Sequence, residues 1–159
     1  MSLVYFKLDR TSMPAEVPVD DCYELCVCRP RLNSFHNIMW SIIAGVFFRY
    51  PGFLEYQYRY QGKVVAYLQV INKLPFFRYI PKGGVHTGPA YTAPEHRGHG
   101  LHPALLFHIV SDFADKDFYN AVDESNVASI KGVVRVGYKP FAIGHKAGKS
   151  YVVDKFLDK

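Results

Sequence analysis

The segment with the most chemistry to offer is TAPEHRGHGLH, residues 92–102. It holds Gly98 and Gly100, Arg97 before them, and His96, His99 and His102 at intervals of three. Glycines let successive backbone N–H groups turn toward one point, and a helix opening there adds partial positive charge. Together they form a seat for an anion such as a pyrophosphate. Arg97 can add a charge-assisted contact. On a helix the three histidines would share a face and suggest a metal. The intervening glycines make the stretch a loop instead, so the rings read as phosphate neighbours or solvent-facing groups, and no metal is expected.

Two other nucleotide signatures fail. A dinucleotide fold places its glycines after the first strand of a parallel unit, with an acid about 20 residues on; here they follow a mid-chain strand. The run GHKAGKS, residues 144–150, is one residue short of a P-loop and leads into the strand-like YVVDKF rather than a helix. Cys22, Cys26 and Cys28 share a strand face by alternation. With no fourth ligand and an odd count, they are expected to be buried free thiols.

The elements that must position the anion loop follow from periodicity. Residues 3–8 and 22–28 read as strands. Residues 33–49 read as a helix with Phe35, Ile38, Met39, Ile42, Ile43 and Val46 on one face, too short to span a membrane, which takes about 20 apolar residues. Residues 55–60 and 63–71 form a hairpin about Gln61-Gly62. Residues 73–84 form an aromatic loop that overhangs a pocket, and 85–92 a strand. A helix over 101–115 tolerates Pro103 because it lies in the first turn, with Leu101, Ala104, Leu105, Ile109 and Phe113 inward. A strand at 118–122, a helix at 126–136 closed by Gly137, and strands near 138–144 and 150–157 complete one domain, 1–159. Strands alternating with helices after a meander predict an α/β fold: a mixed, mostly antiparallel sheet with helices on both faces.

The run RGHGLH at 97–102, preceded by Pro94-Glu95, resembles the Arg/Gln-x-x-Gly-x-Gly/Ala signature of the GNAT superfamily of acetyl-coenzyme A-dependent N-acetyltransferases. The run NVASIKGVVRVGY at 126–138 resembles that family's second motif, in which an Asn opens a helix and a Gly-aromatic pair follows. The resemblance spans about residues 85–140. It implies main-chain contacts from Ala90, Tyr91 and Thr92 to the pantetheine arm. It further implies a pyrophosphate seat formed by Arg97, Gly98, His99, Gly100, Leu101 and His102, and a contact from Asn126. Two positions depart from the pattern. His102 stands where Gly or Ala is usual, and Val133 where many members carry a thiolate-protonating Tyr. Ser129, one turn earlier on the same face, is the fallback donor.

Transfer to an amine needs a neutral nucleophile, an oxyanion donor and a proton for the thiolate. The resemblance implies an oxyanion N–H from Thr92 or a neighbour. His86 is the candidate base, on the same strand parity as Gly88, Ala90 and Thr92; a free imidazole titrates near ~6.5 and suits a moderately basic amine. A backbone-bonded strand histidine is the competing reading, and Glu24 and Tyr91 are weaker candidates.

The expected activity is acetyl transfer from acetyl-CoA to a small primary amine, with an amino sugar suggested by the aromatics of 50–60 and 73–84. The alternative is a non-catalytic module that binds acyl-CoA as a sensor or scaffold. The net charge of +5 comes from scattered rather than clustered basic residues, which suits an anionic ligand and not nucleic acid. The sequence shows no signal-peptide or membrane-span pattern, so a cytoplasmic protein is expected, and a homodimer is compatible with it.

Overall fold

A computed structural model describes residues 1–12, 14–29 and 53–157. The helix expected over 33–49 lies outside the described residues. The strands are β1 (Ser2–Leu8), β2 (Tyr23–Cys28), β3 (Phe53–Tyr60), β4 (Lys63–Asn72), β5 (Val85–Thr92), β6 (Phe118–Asp123), β7 (Lys139–Ala147) and β8 (Ser150–Phe156). The helices are α1 (Leu101–Asp112) and α2 (Val127–Arg135), with a short 3-10 turn at Pro94–His96. All eight strands join one sheet in the order β2-β3-β4-β5-β6-β1-β7-β8. Every pairing is antiparallel except β5 with β6.

Alternation decides which side chains go where. In β3, Leu54, Tyr56, Tyr58 and Tyr60 turn toward the core beneath α1, while Glu55, Gln57 and Arg59 take the other face. The hairpin register carries this into β4, where Ala66, Leu68 and Val70 join the same core. From above, α1 inserts Leu101, Ala104, Leu105 and Ile109, the face its spacing predicts. It stops at Asp112, three residues earlier than expected, and Phe113 is its buried C-cap. Two hydroxyls tie the sheet to α1: Tyr56 OH donates to Asp112 Oδ2 at 2.6 Å, and Tyr58 OH lies 3.3 Å from His108 Nε2. Val133 of α2 and the following Val136 and Tyr138 close the same core, so both described helices pack on this face.

The opposite face carries a second core of Leu3, Tyr5, Leu74, Phe77, Tyr79, Ile80, Tyr119 and Ala142. Half of these come from the 73–84 segment, expected to overhang a pocket. Phe77 and Tyr79 are buried, with Phe76 half-buried beside them, because they cover the sheet where Ile71 and Tyr119 present apolar surface. The N-terminal strand β1 sits inside the sheet, antiparallel to both β6 and β7, and its alternation feeds both cores. The GHKAGKS run is the β7–β8 hairpin. At Gly144 the strands approach so closely that a Cβ would lie 1.9 Å from the Val152 carbonyl oxygen, so this glycine serves packing and not a phosphate. The three cysteines are free, as expected, but not buried. Cys22 precedes β2 and is exposed, and Cys26 and Cys28 are half-buried because β2 is an edge strand.

Candidate functional site

Strands β5 and β6 run parallel but pair over only two positions, Val85 with Phe118 and His86 with Tyr119. Beyond them the two strands part. On its other edge β5 stays paired with β4, but Leu68 faces Ala90 and Val70 faces Thr87, so Gly88 and Pro89 bulge out opposite Gln69. Gly88 has φ +124°, a conformation side chains rarely adopt. The change is abrupt in burial too: residues 85–88 are buried, whereas Pro89, Ala90 and Tyr91 are exposed. The strand edge bordering the opening thus lacks the β6 ladder from Thr87 onward. Backbone N–H and C=O groups along that edge are open to an outside partner, as a strand edge is to an extended chain.

The opening lies at the carboxyl ends of two parallel strands, where a sheet of this kind offers a crevice. Both motifs border it, since residues 93–100 follow β5 and residues 124–126 follow β6. Asn120 of β6 reaches into it: a Cβ on Gly88 would lie 3.8 Å from Asn120 Oδ1.

In the 92–102 loop, Ala93 is buried and anchors the turn by donating its N–H to Val65 O at 2.8 Å. Gly98 and Gly100 have φ +85° and +73°. Gly100 is also sterically required, because a Cβ there would meet Val17 Cγ1 at 2.6 Å. It is the N-cap of α1, with no side-chain cap and no acidic residue in the first turn. The first-turn N–H groups of a helix have no intrahelical acceptor, and here no side chain caps them. Arg97 is exposed and donates from Nε to Thr92 O at 3.2 Å, laying its guanidinium over the end of β5. His99 and Gly98 are exposed and Leu101 is buried. His102 is half-buried, and burial holds its imidazole below the usual pKa. His96 turns away to Tyr23, with 3.1 Å between Nδ1 and the phenol oxygen. Among the described residues no group of three or more His, Cys, Asp or Glu side chains is placed to hold a metal ion.

The second motif caps as its sequence predicts: Asn126 Oδ1 accepts from Ser129 N at 3.0 Å. Asn126 and Ser129 are both exposed, and Val133 is buried in the core. Tyr138 reaches the splay from the α1 side of the sheet, its OH 2.6 Å from Thr87 Oγ1. Burial pushes the Tyr138 phenol well up, only partly opposed by that hydrogen bond.

His86 sits on the last paired rung, on the face opposite α1. Its Nδ1 lies 2.7 Å from Tyr79 OH, and Phe77 stacks on the ring with centroids 4.5 Å apart. Burial pushes its pKa down to about 4, against the pull of a backbone hydrogen bond with Tyr119. Glu24, the weaker candidate, is exposed on the edge strand.

Sequence reasoning missed the polar row on this same face. Glu55 and Gln57 of β3 are buried, and Gln69 Nε2 donates to Glu55 Oε2 at 2.7 Å. The signal was present in the hairpin, since the parity that sends Tyr56 and Tyr58 to the core sends Glu55 and Gln57 the other way.

No protein-family model and no curated protein sequence matches the chain. Solved structures do. One is a functionally unknown conserved protein from Staphylococcus epidermidis, 10% identical over 89% of this chain and 58% of its own, with a TM-score of 0.60. Another is a putative GNAT-family acetyltransferase from Novosphingobium aromaticivorans, 17% identical over 89% of this chain and 60% of its own, with a TM-score of 0.52. A third is an aminoglycoside N-acetyltransferase in complex with CoA, 10% identical over 73% of this chain and 91% of its own, with a TM-score of 0.53. The chain thus spans less than two thirds of the length of the first two. With its parallel pair splayed beside a glycine-rich helix start, the chain has the fold of the GCN5-related N-acetyltransferases.

Proposed function

We propose that the protein transfers an acetyl group from acetyl-CoA to a small primary amine by direct attack. The observation that carries this reading is the splay after His86, which leaves the exposed end of β5 beside the uncapped start of α1. The substrate fits what is there. The pyrophosphate takes the N–H groups of residues 98–102 and the charge of Arg97. The pantetheine amides pair with the free edge at Ala90, Tyr91 and Thr92 and approach Asn126 on the far side. The acetyl thioester then lies between β5 and β6.

In the reaction, a neutral amine attacks the thioester carbonyl and a C–N bond forms. A backbone N–H near Thr92 holds the oxyanion. The C–S bond breaks, the sulfur leaves with the electron pair, and the exposed Ser129 hydroxyl supplies its proton and regains one from solvent, balanced by the proton that the amine gives up. His86 is the proposed acceptor of the amine's proton, its ring neutral above about pH 4. If the same ring serves only to hold Tyr79, its loss lowers stability and not turnover.

The structural neighbour named for aminoglycosides favours an amino-sugar acceptor. A second reading, an acyl-CoA sensor without turnover, draws on Val133, buried where the relatives' Tyr would be. Titration calorimetry with acetyl-CoA, followed by an amine panel, separates the two. Saturable binding with turnover supports the enzyme, and binding without turnover supports the sensor. No binding of acetyl-CoA or desulfo-CoA overturns both.

A further inference from the structure

Two strands from the splay, on the face opposite α1, Glu55 is only 9% exposed. Burying an ionised carboxyl is costly unless its charge is met. Here its oxygens meet neutral amides: Oε1 accepts from Gln57 Nε2, and Oε2 from Gln69 Nε2. A carboxylate offers about four acceptor sites, so about two stay available. Arg59, on the same strand face, gives its guanidinium to Gln57 Oε1 at 3.3 Å instead. Among the described residues the ion pairs are Lys7 with Asp9 and Asp117, Lys116 with Asp115, and His145 with Asp154; none includes Glu55.

This carboxylate is aligned with the reaction centre. Glu55 faces Gln69 across β3 and β4, and Gln69 in turn stands opposite the Gly88-Pro89 bulge. Next along the face, Tyr67 lies between Gln57 and Tyr91 in the register, its ring stacked on Tyr91 with centroids 5.8 Å apart. Burial first, and then Glu55 and Tyr91, raise the Tyr67 pKa, so ring and carboxylate share one environment. A carboxylate beside tyrosine rings is a recognition surface for an organic cation.

Spacing says which cation. Strands lie about 4.8 Å apart, which puts the β3 row roughly 10 Å from β5, beyond hydrogen-bond reach of a nitrogen attacking a thioester at the splay. We propose that Glu55, oriented by Gln57 and Gln69 and flanked by Tyr67, binds a second positively charged group of the acceptor. The acceptor class is then a diamine or oligoamine whose far ammonium rests on Glu55 while its near amine is acetylated. This rests on the acetyl-transfer reading and narrows its substrate class. Glu55 contacts substrate as a specificity-determining residue and takes no part in proton transfer.

The test compares linear diamines of graded length with monoamines of the same chain length, in the wild type, Glu55→Gln and Glu55→Asp. The expected wild-type result is a tenfold or greater diamine preference in kcat/KM, expressed in KM, at one optimal length. Glu55→Gln brings that preference close to one while monoamine kcat/KM and acetyl-CoA affinity stay within twofold, and Glu55→Asp retains part of it. Equal loss toward both amine classes, or no change toward either, overturns the inference and leaves acetyl transfer standing. A wild type that binds acetyl-CoA but acetylates no amine overturns the acetyl-transfer reading and this inference with it. A fold defect in Glu55→Gln would show as lost acetyl-CoA affinity, and Glu55→Asp then decides.

Discussion

Under α1, strands β3 and β4 present Tyr56, Tyr58, Ala66, Leu68 and Val70; on the opposite face the same strands present Glu55, Gln57, Tyr67 and Gln69. One hairpin thus serves two purposes, separated by the period of two along each strand. On the helix side, polar atoms are confined to the tips of tyrosines that find Asp112 and His108 at the rim. On the other side lie buried Glu55 and Gln57, two strands from the opening between β5 and β6, and His86 at its start. Within this hairpin the α1 face is packed core and the opposite face carries the polar groups proposed for recognition, and substitutions on each face should separate the two.

The largest effect is expected beneath α1. Leu105 is fully buried, and Leu105→Ala removes buried methyl groups and leaves a cavity, at a cost of about 2–5 kcal/mol. Denaturant titration should show a lower midpoint with little change in slope, while the protein that remains folded binds acetyl-CoA as before. A large loss of affinity with unchanged stability would break the division between faces.

His86 tests the division from the other side, because it is buried there and also proposed for chemistry. In the unfolded chain it titrates near 6.5, whereas folding holds it at about 4. Between those values the unfolded state binds more protons, so stability present above about pH 6.5 is lost as the pH falls through 4. The gap is worth about 3 kcal/mol at most. His86→Gln keeps a polar partner for Tyr79 and removes the titration, so its stability should depend less on pH over that window. If turnover near neutrality falls as well while acetyl-CoA affinity holds, the base assignment stands. Flattened stability with full turnover would leave His86 as a strut for Tyr79.

How much of this could be read from the sequence varied with the range of the cause. The hairpin about Gln61-Gly62, the first turn of α1 with Pro103, and the Asn126 cap depend on residues near one another, and the pattern located them. The bulge at Gly88-Pro89 depends on the β4 register, the short β5–β6 pairing on how two strands diverge, and the central place of β1 on residues more than a hundred positions away. None of these leaves a local signature. The 73–84 loop was misread for a similar reason. Its aromatics suit a pocket rim or a core equally, and only the apolar patch of Ile71 and Tyr119 beneath them decides. Glu55 was hidden because a charged residue on an alternating strand reads as solvent-facing, whereas here it is buried between Gln57 and Gln69.

The smallest effect is expected at Asn126, where capping and cofactor contact compete to explain one side chain. Asn126 Oδ1 accepts from Ser129 N, and Asn126→Ala should cost about 1 kcal/mol through the lost cap. Asn126→Asp keeps an oxygen for Ser129 and favours the positive end of α2, so stability should match the wild type. It also replaces the amide donor with a negative charge. If the Asn126 amide holds the cofactor arm across the splay, calorimetry on Asn126→Asp will show weaker acetyl-CoA binding in a protein of unchanged stability. Equal affinity in the two would confine Asn126 to capping and leave the free edge of β5 as the main proposed hold on the pantetheine.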